Sequence, residues 1–151
     1  MGLFSFGKKS GAAVFKKETA APAAQSAQVK AQELLNYVKG LGLPYQNIRI
    51  SLRGDDVVLE GQVDKQSDSE RIVLAVGNVE GVDTVDNNMR VNVPQPESKY
   101  HTVVSGDSLS KIAKTVYGDA MKYPVIFEAN KPMLDHPDKI YPGQVLRIPN
   151  L

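Results

Sequence analysis

Cysteine is absent from this 151-residue chain. Its absence excludes disulfide staples, thiolate metal sites and a cysteine nucleophile, and it fits a reducing compartment. Tryptophan is absent as well, and with six Tyr and four Phe large aromatic platforms are few. The two histidines, His101 and His136, are far apart in sequence and supply too few ligands for a structural zinc site. No segment approaches the roughly 20 apolar residues of a membrane span. The net charge is only +1, which argues against a nucleic-acid partner.

What charge there is lies unevenly. Residues 1–17 hold four lysines and no acid, residues 18–98 seven basic and twelve acidic residues, and residues 99–151 seven and five. The result is a basic head, an acidic middle and a mildly basic tail. The chain opens Met1-Gly-Leu-Phe-Ser-Phe-Gly7, with Lys8 and Lys9 directly after. A secretory signal has the reverse order, basic residues first and then about 7–15 apolar ones. A cytoplasmic protein is therefore expected. N-myristoylation wants Ser or Thr at position 6, where Phe6 stands.

Breakers divide the rest. Residues 18–28 form an Ala/Pro/Gln/Ser stretch that reads as a flexible connector, and Pro94-Gln-Pro-Glu-Ser98 is a second linker. The expected units are a head (1–17), a connector (18–28), a domain over 29–93, the linker (94–98) and a domain over 99–151. In the middle unit Ala31, Leu34, Leu35 and Val38 follow helical spacing, with Gly40 as a stop. Ile48, Ile50 and Leu52 alternate with polar residues, Gly54-Asp-Asp56 turns the chain, and Val57-Val-Leu59 returns. Ser67-Asp-Ser-Glu70 matches a capping box for a helix with a stripe of Ile72, Ala75, Val76 and Val79, ending at Gly77. Met89, Val91 and Val93 alternate as a last strand. The order is α-β-β-α-β. The tail reads as a strand over 100–104, a helix capped by Ser108 with a stripe of Leu109, Ile112, Ala113 and Val116 and ended by Gly118, a short helix near Tyr123–Ala129, and a strand from Val145 to Ile148. Its order is β-α-α-β, and the class is α+β in two small domains.

The tail closely resembles a LysM domain. The residues that carry this are Tyr100-His-Thr-Val-Val-Ser-Gly-Asp-Ser-Leu-Ser-Lys-Ile-Ala113, Ile126-Phe-Glu-Ala-Asn130 and Ile140-Tyr-Pro-Gly-Gln-Val-Leu-Arg-Ile-Pro149. The middle resembles a BON domain through Val57-Val-Leu-Glu-Gly61 and Ala75-Val-Gly-Asn-Val-Glu-Gly-Val82. With the Met-Gly-Leu-Phe start, the whole chain resembles the small bacterial BON–LysM potassium-binding family. That resemblance implies a cytoplasmic protein that binds K⁺, changes conformation on doing so, and is linked to growth in high external potassium, a form of stress response.

The residues themselves point away from catalysis. Asp55/Asp56 sit in a hairpin turn and Asp83/Asp86 at a strand start, with no nearby His to make an acid–base pair. Ser105-Gly-Asp107 lacks the strand–turn–helix setting of a nucleophile elbow. Gly77-Asn-Val-Glu-Gly-Val82 follows a helix whose last carbonyls lack intrahelical partners and whose end carries partial negative charge. Gly77 and Gly81 allow the chain to reverse and turn carbonyls inward. A ring of neutral carbonyls suits a large, weakly hydrated monovalent cation, whereas Ca²⁺ and Mg²⁺ prefer carboxylates. Chemistry alone reads the same segment as an ordinary helix cap and turn; the resemblance favours the ion site.

The expected K⁺ ligands are the backbone oxygens of Gly77, Asn78, Val79 and Val82, with Gly7 and Ser10 added mainly by the resemblance. Truncating Asn78 to Ala should then matter little, and distorting Gly77 or Gly81 should matter greatly. In the head, Leu3, Phe4, Phe6, Val14 and Phe15 are candidate anchors onto the domain; beside Lys8, Lys9, Lys16 and Lys17 they also fit an interfacial membrane helix. A LysM domain implies an N-acetylglucosamine groove, here Gly106, Asp107, Ser108, Leu109, Asn130 and Ile140. In the cytoplasm a scaffold packed on the BON domain is the simpler role. The expectation is a non-enzymatic K⁺ sensor or buffer, monomeric, with a BON–LysM contact, no nucleic-acid partner and no transmembrane segment. The alternatives are a peptidoglycan-binding LysM protein and a membrane-surface adaptor.

Overall fold

The computed structural model of the chain describes residues 2–5, 23–79, 82–96, 98–131 and 133–150, with 2–5 and 23–29 as backbone. The chain runs β1 (Gly2–Ser5), α1 (Ala23–Leu41), β2 (Asn47–Arg53), β3 (Asp56–Lys65), α2 (Gln66–Gly77) and β4 (Thr84–Val93). It continues through β5 (Lys99–Thr102), α3 (Leu109–Tyr117), a 3-10 turn (Ala120–Lys122), α4 (Tyr123–Ala129) and β6 (Val145–Ile148). The class is α+β in two domains, as expected.

The first sheet has the order β1-β4-β3-β2. Strands β2 and β3 form an antiparallel hairpin with Arg53 opposite Asp56, and β3 and β4 run parallel across α2. Gly61 lies where β3 crosses closest to β2. A Cβ there would sit 2.2 Å from the Asn47 carbonyl oxygen, so only glycine fits without moving backbone. Under the sheet Leu34 and Val38 of α1 meet Val57, Leu59, Val63, Val85 and Met89. The alternation seen in the sequence is thus the inward face of the sheet. The second core gathers Val103, Leu109, Ile112, Ala113, Ile126, Leu134, Leu146 and Ile148 over the β5–β6 pair.

Four local expectations need correction. Helix α1 takes in residues 23–28 of the stretch read as connector, because Ala and Gln favour a helix once Pro22 is behind them. It also runs past Gly40 to Leu41, and Gly42 takes the left-handed turn. Val116 is 42% exposed rather than part of the α3 stripe; Tyr117 packs on the core instead and donates its hydroxyl to the Pro149 carbonyl. The capping box at Ser67–Glu70 does not form. The helix starts two residues earlier than that box requires, at Gln66 with Lys65 as N-cap, and has no side-chain cap. Elsewhere the punctuation holds: the Ser108 hydroxyl accepts from the Lys111 N–H at 3.2 Å, and Gly118 closes α3 at φ +76.

Glu70 fails as a cap because it is used elsewhere. It is buried, 2% exposed, and its carboxylate accepts from the Arg147 Nε of β6 at 2.6 Å and from the Ser98 N–H at 3.0 Å. Arg71 beside it donates to the Lys131 carbonyl at 3.1 Å. Helix α2 is therefore covered on two sides. Ile72, Val73, Val76 and Val79 face the first core. Glu70, Leu74 and Asn78, spaced by four, form a second buried face toward the LysM-like unit.

Burial would raise the Glu70 carboxyl, but the Arg147 guanidinium and the Ser98 and Gln66 donors hold it below its ordinary 4.5. A native value below the unfolded one means that this stability is present above pH 4.5 and is lost as pH falls through the lowered native value. Glu70→Gln should lose about 1–3 kcal/mol at pH 7, the worth of hydrogen bonds to a charged group. In thermal unfolding, its deficit against the wild type should shrink as acid is added below pH 4.5. A deficit that stays constant with pH would contradict this role.

Candidate functional site

The residues singled out at the end of α2 fall together. Gly77, Asn78, Val79 and Val82 occupy one buried turn between α2 and β4, with Asn78 5%, Val79 0% and Val82 1% exposed. The helix ends there because Asn78 N–H still bonds to Leu74 O at 3.0 Å while Val79 N–H tightens to Val76 O at 3.2 Å. Val82 N–H then returns to Val79 O at 3.1 Å. Peptide carbonyls concentrate at the negative end of the helix. Gly77 does not reverse the chain as expected. It is the last helical residue and is absent from the glycines with positive φ. Gly81 lies outside the described residues, as do Gly7, Ser10 and most of the candidate head anchors.

The head nevertheless contributes a strand that periodicity did not suggest. Residues 2–5 pair antiparallel with the edge of β4, Gly2 opposite Asn87 and Ser5 opposite Thr84. Thr84 lies two residues beyond Val82, so β1 delivers the chain to the same end of the sheet as the carbonyl turn.

The side chain of Asn78 has a different job. Its Oδ1 accepts from Val145 N–H at 2.9 Å, and its Nδ2 donates to Val145 O at 2.8 Å and to Leu74 O at 2.9 Å. The Met133 sulfur lies 3.2 Å from the same nitrogen. The main-chain oxygen of Asn78 accepts from the Tyr141 hydroxyl at 3.2 Å. Burial, with Tyr37 nearby, pushes the Tyr141 phenol up to about 12, so it remains a donor at any working pH.

Asn130, at the end of α4, repeats the arrangement. Its amide bonds to Arg147 N–H at 2.7 Å and Arg147 O at 2.9 Å, and reaches back to Ile126 O at 2.7 Å. Two helix ends thus clamp alternate residues on one edge of β6. Sequence reasoning missed Tyr141, Glu70 and Arg147 here. The one available signal was an Asn directly after each of two predicted helices.

The expected glycan groove is only partly open. Leu109 and Asn130 are 2% exposed, one in the core and the other committed to Arg147, and Ile140 packs on the same core. Gly106 is exposed, Ser108 caps α3, and Asp107 accepts from Val104 N–H at 3.0 Å and pairs with His101 at 2.9 Å. A cleft of about 160 Å³ remains, lined by Ser108, Ser110, Tyr123, Pro137 and Asp138 among others. Asp55 and Asp56 stay in their hairpin turn, where Asp55 O accepts from Asp83 N–H at 2.9 Å and Asp56 accepts from the Thr84 hydroxyl at 2.6 Å.

A four-stranded sheet with two helices, followed by a β-α-α-β unit whose last strand is clamped by an Asn, defines a tandem of small binding modules. Residues 23–93 match the BON domain and residues 101–149 the LysM domain, binding modules rather than enzyme families. Over 150 residues, 99% of each chain, the sequence is 43% identical to the "Potassium binding protein Kbp" of Escherichia coli O6:H1. It is 36% identical over 133 residues to an "Uncharacterized protein" of Deinococcus radiodurans, covering 79% of this chain and 51% of that one. The chain belongs to the BON–LysM potassium-binding protein family.

The clamp gives the Asn78 side chain a structural role that is separate from the backbone carbonyl expected as an ion ligand, so Asn78→Ala has a cost in stability. The variant leaves Val145 N–H and C=O buried without partners, at a cost of about 1–3 kcal/mol for each unpaired group. Urea unfolding should show this loss even in K⁺-free buffer. Wild-type stability of Asn78→Ala would refute the clamp.

Proposed function

We propose that this chain is a K⁺-binding protein without catalytic activity, a cytoplasmic sensor or buffer that changes conformation when the ion binds. The observation that carries this is the buried turn of Gly77, Asn78, Val79 and Val82 at the carbonyl end of α2, with β1 arriving beside it at Thr84. Neutral carbonyl oxygens at the negative end of a helix dipole suit K⁺, which gives up its water more readily than smaller ions. Among the described residues no group of three or more His, Cys, Asp or Glu is arranged to hold a metal, so a carboxylate site for Ca²⁺ or Mg²⁺ has no support there. A family relative at 43% identity bears a potassium-binding name.

Gly7 and Ser10 are proposed as the remaining ligands, supported by the direction in which β1 hands the chain on. The LysM module is assigned a docking role. The cleft left at its expected glycan groove, about 160 Å³, is smaller than the roughly 300 Å³ of an ordinary ligand pocket, and Asn130 and Leu109 serve its interior. No described helix is long and apolar enough to cross a membrane.

Calorimetric titration with KCl, RbCl, NaCl and CaCl₂ at matched ionic strength tests the proposal. Binding should favour K⁺ and Rb⁺ over Na⁺ and Ca²⁺. Tighter binding of Ca²⁺ than of K⁺ would overturn it and point to Asp55, Asp56 or Glu80. Removing residues 1–11 should abolish tight K⁺ binding, and a truncated chain that binds K⁺ normally would exclude the head from the site.

A further inference from the structure

Two cations share a cleft at the opposite end of α2 from the carbonyl turn. It holds about 630 Å³ where the start of α2, the end of β4, the linker and the end of β6 meet, and Lys65 and Arg147 line it. That volume falls within the roughly 300–1,000 Å³ of small-molecule sites. Among the described residues, none that lines it is acidic. Two other clefts of comparable size mix the signs. Asp119 stands with Lys111 and Lys114 in one, and Glu60 with Arg49 and Arg90 in the other.

The two cations are held differently. Arg147 is nearly buried, its side chain 13% exposed, and it meets the Glu70 carboxylate through Nε. Among the described residues no hydrogen bond takes its two Nη groups. Lys65 is exposed and makes no salt bridge among the described residues, because Asp64 beside it accepts from the Gln46 and Asn92 amides instead. The parallel register sets Lys65 opposite Val93, which is 56% exposed. Val93, Pro96 and Pro149 give the cleft an apolar wall. Gln66 and Ser67 also line it, and they open α2 with no side-chain cap over their N–H groups.

We propose that this cleft binds a phosphate monoester: Arg147 and Lys65 receive the phosphate, and Val93, Pro96 and Pro149 cover the organic group esterified to it. A phosphate monoester has three terminal oxygens to share among the guanidinium, the ammonium and the first-turn amides, where a carboxylate has two. Glu70 already holds the Arg147 guanidinium in place, so little side-chain freedom is lost on binding. The site uses no residue of the carbonyl turn and stands apart from the potassium reading.

The probe is phenyl phosphate, titrated as its sodium salt into the full chain at fixed KCl and fixed ionic strength. Inorganic phosphate, benzoate and phenol are the comparisons, amide chemical shifts report the place, and thermal unfolding reports the integrity of each variant. Phenyl phosphate should saturate at about millimolar concentration, with its largest shifts at Gln66, Ser67, Ser98 and Asn150. Inorganic phosphate and benzoate should bind at least about threefold more weakly, and phenol should give no saturable shift. Lys65→Gln should weaken phenyl phosphate about fivefold, the worth of one exposed charge pair. Val93→Asp, which sets a carboxylate in the apolar wall, should weaken it about tenfold or more. Both variants should unfold at the wild-type temperature, since both side chains are exposed. The inference is overturned if phenyl phosphate gives no saturable shift at those four amides, or if any of the three comparison compounds binds as tightly as it does. Wild-type affinity in either variant overturns it too.

Discussion

The open edge of β6 is the constraint on which the rest of the molecule depends. A two-stranded pair satisfies only half of each strand's backbone groups, and a bare edge in a buried position is costly. Here the outward N–H and C=O of Val145 and Arg147 each meet the two ends of a carboxamide. A primary amide presents a donor and an acceptor side by side, as a neighbouring strand would. Asn130 makes the LysM module complete on one half of this edge. The other half is completed only by Asn78, from the neighbouring domain. The BON domain is thus a structural part of the LysM sheet, and α2, buried on both faces, is the shared wall.

Much of this architecture was legible in the chain. Period-two alternation over Ile48–Leu52 and Met89–Val91 marked strands because one face of the sheet is buried and the other is not; Val93, next in the pattern, is exposed. Ser108 and Gly118 bounded α3 through local backbone chemistry that needs no tertiary partner. The end of α2 at Gly77 was legible because the apolar stripe runs out there. Three features were hidden for one common reason: their partners are distant in sequence. Strand β1 is four residues long, too short for a period, and exists through pairing with β4. Glu70 carries the local signature of a capping box, yet Arg147, across the domain boundary, claims it. Asn78 reads as a helix cap, and nothing local shows that its amide reaches Val145.

The two-sided burial of α2 also bears on the proposed function. An ion held by backbone oxygens gains little from any single side chain, so its site is as good as the geometry of the surrounding backbone. The turn after α2 takes that geometry from three sources: the helix itself, the edge strand β1 entering at Thr84, and the LysM contacts at Asn78. Glu70 and Arg147 secure the far end of the same helix face. Pairing the two modules in one short chain thus fixes backbone geometry at the proposed ion turn from both sides.

The shared-edge account is tested most directly by scalar couplings across hydrogen bonds in an isotopically labelled sample, which register electron overlap between donor and acceptor rather than proximity. The account predicts two correlations of comparable strength. One links the Val145 amide nitrogen to the side-chain carbonyl carbon of Asn78, and the other links the Arg147 amide nitrogen to that of Asn130. Detection of the Arg147–Asn130 coupling without the Val145–Asn78 coupling, in K⁺ and K⁺-free buffer alike, would mean that the LysM edge closes without its neighbour and would contradict the account.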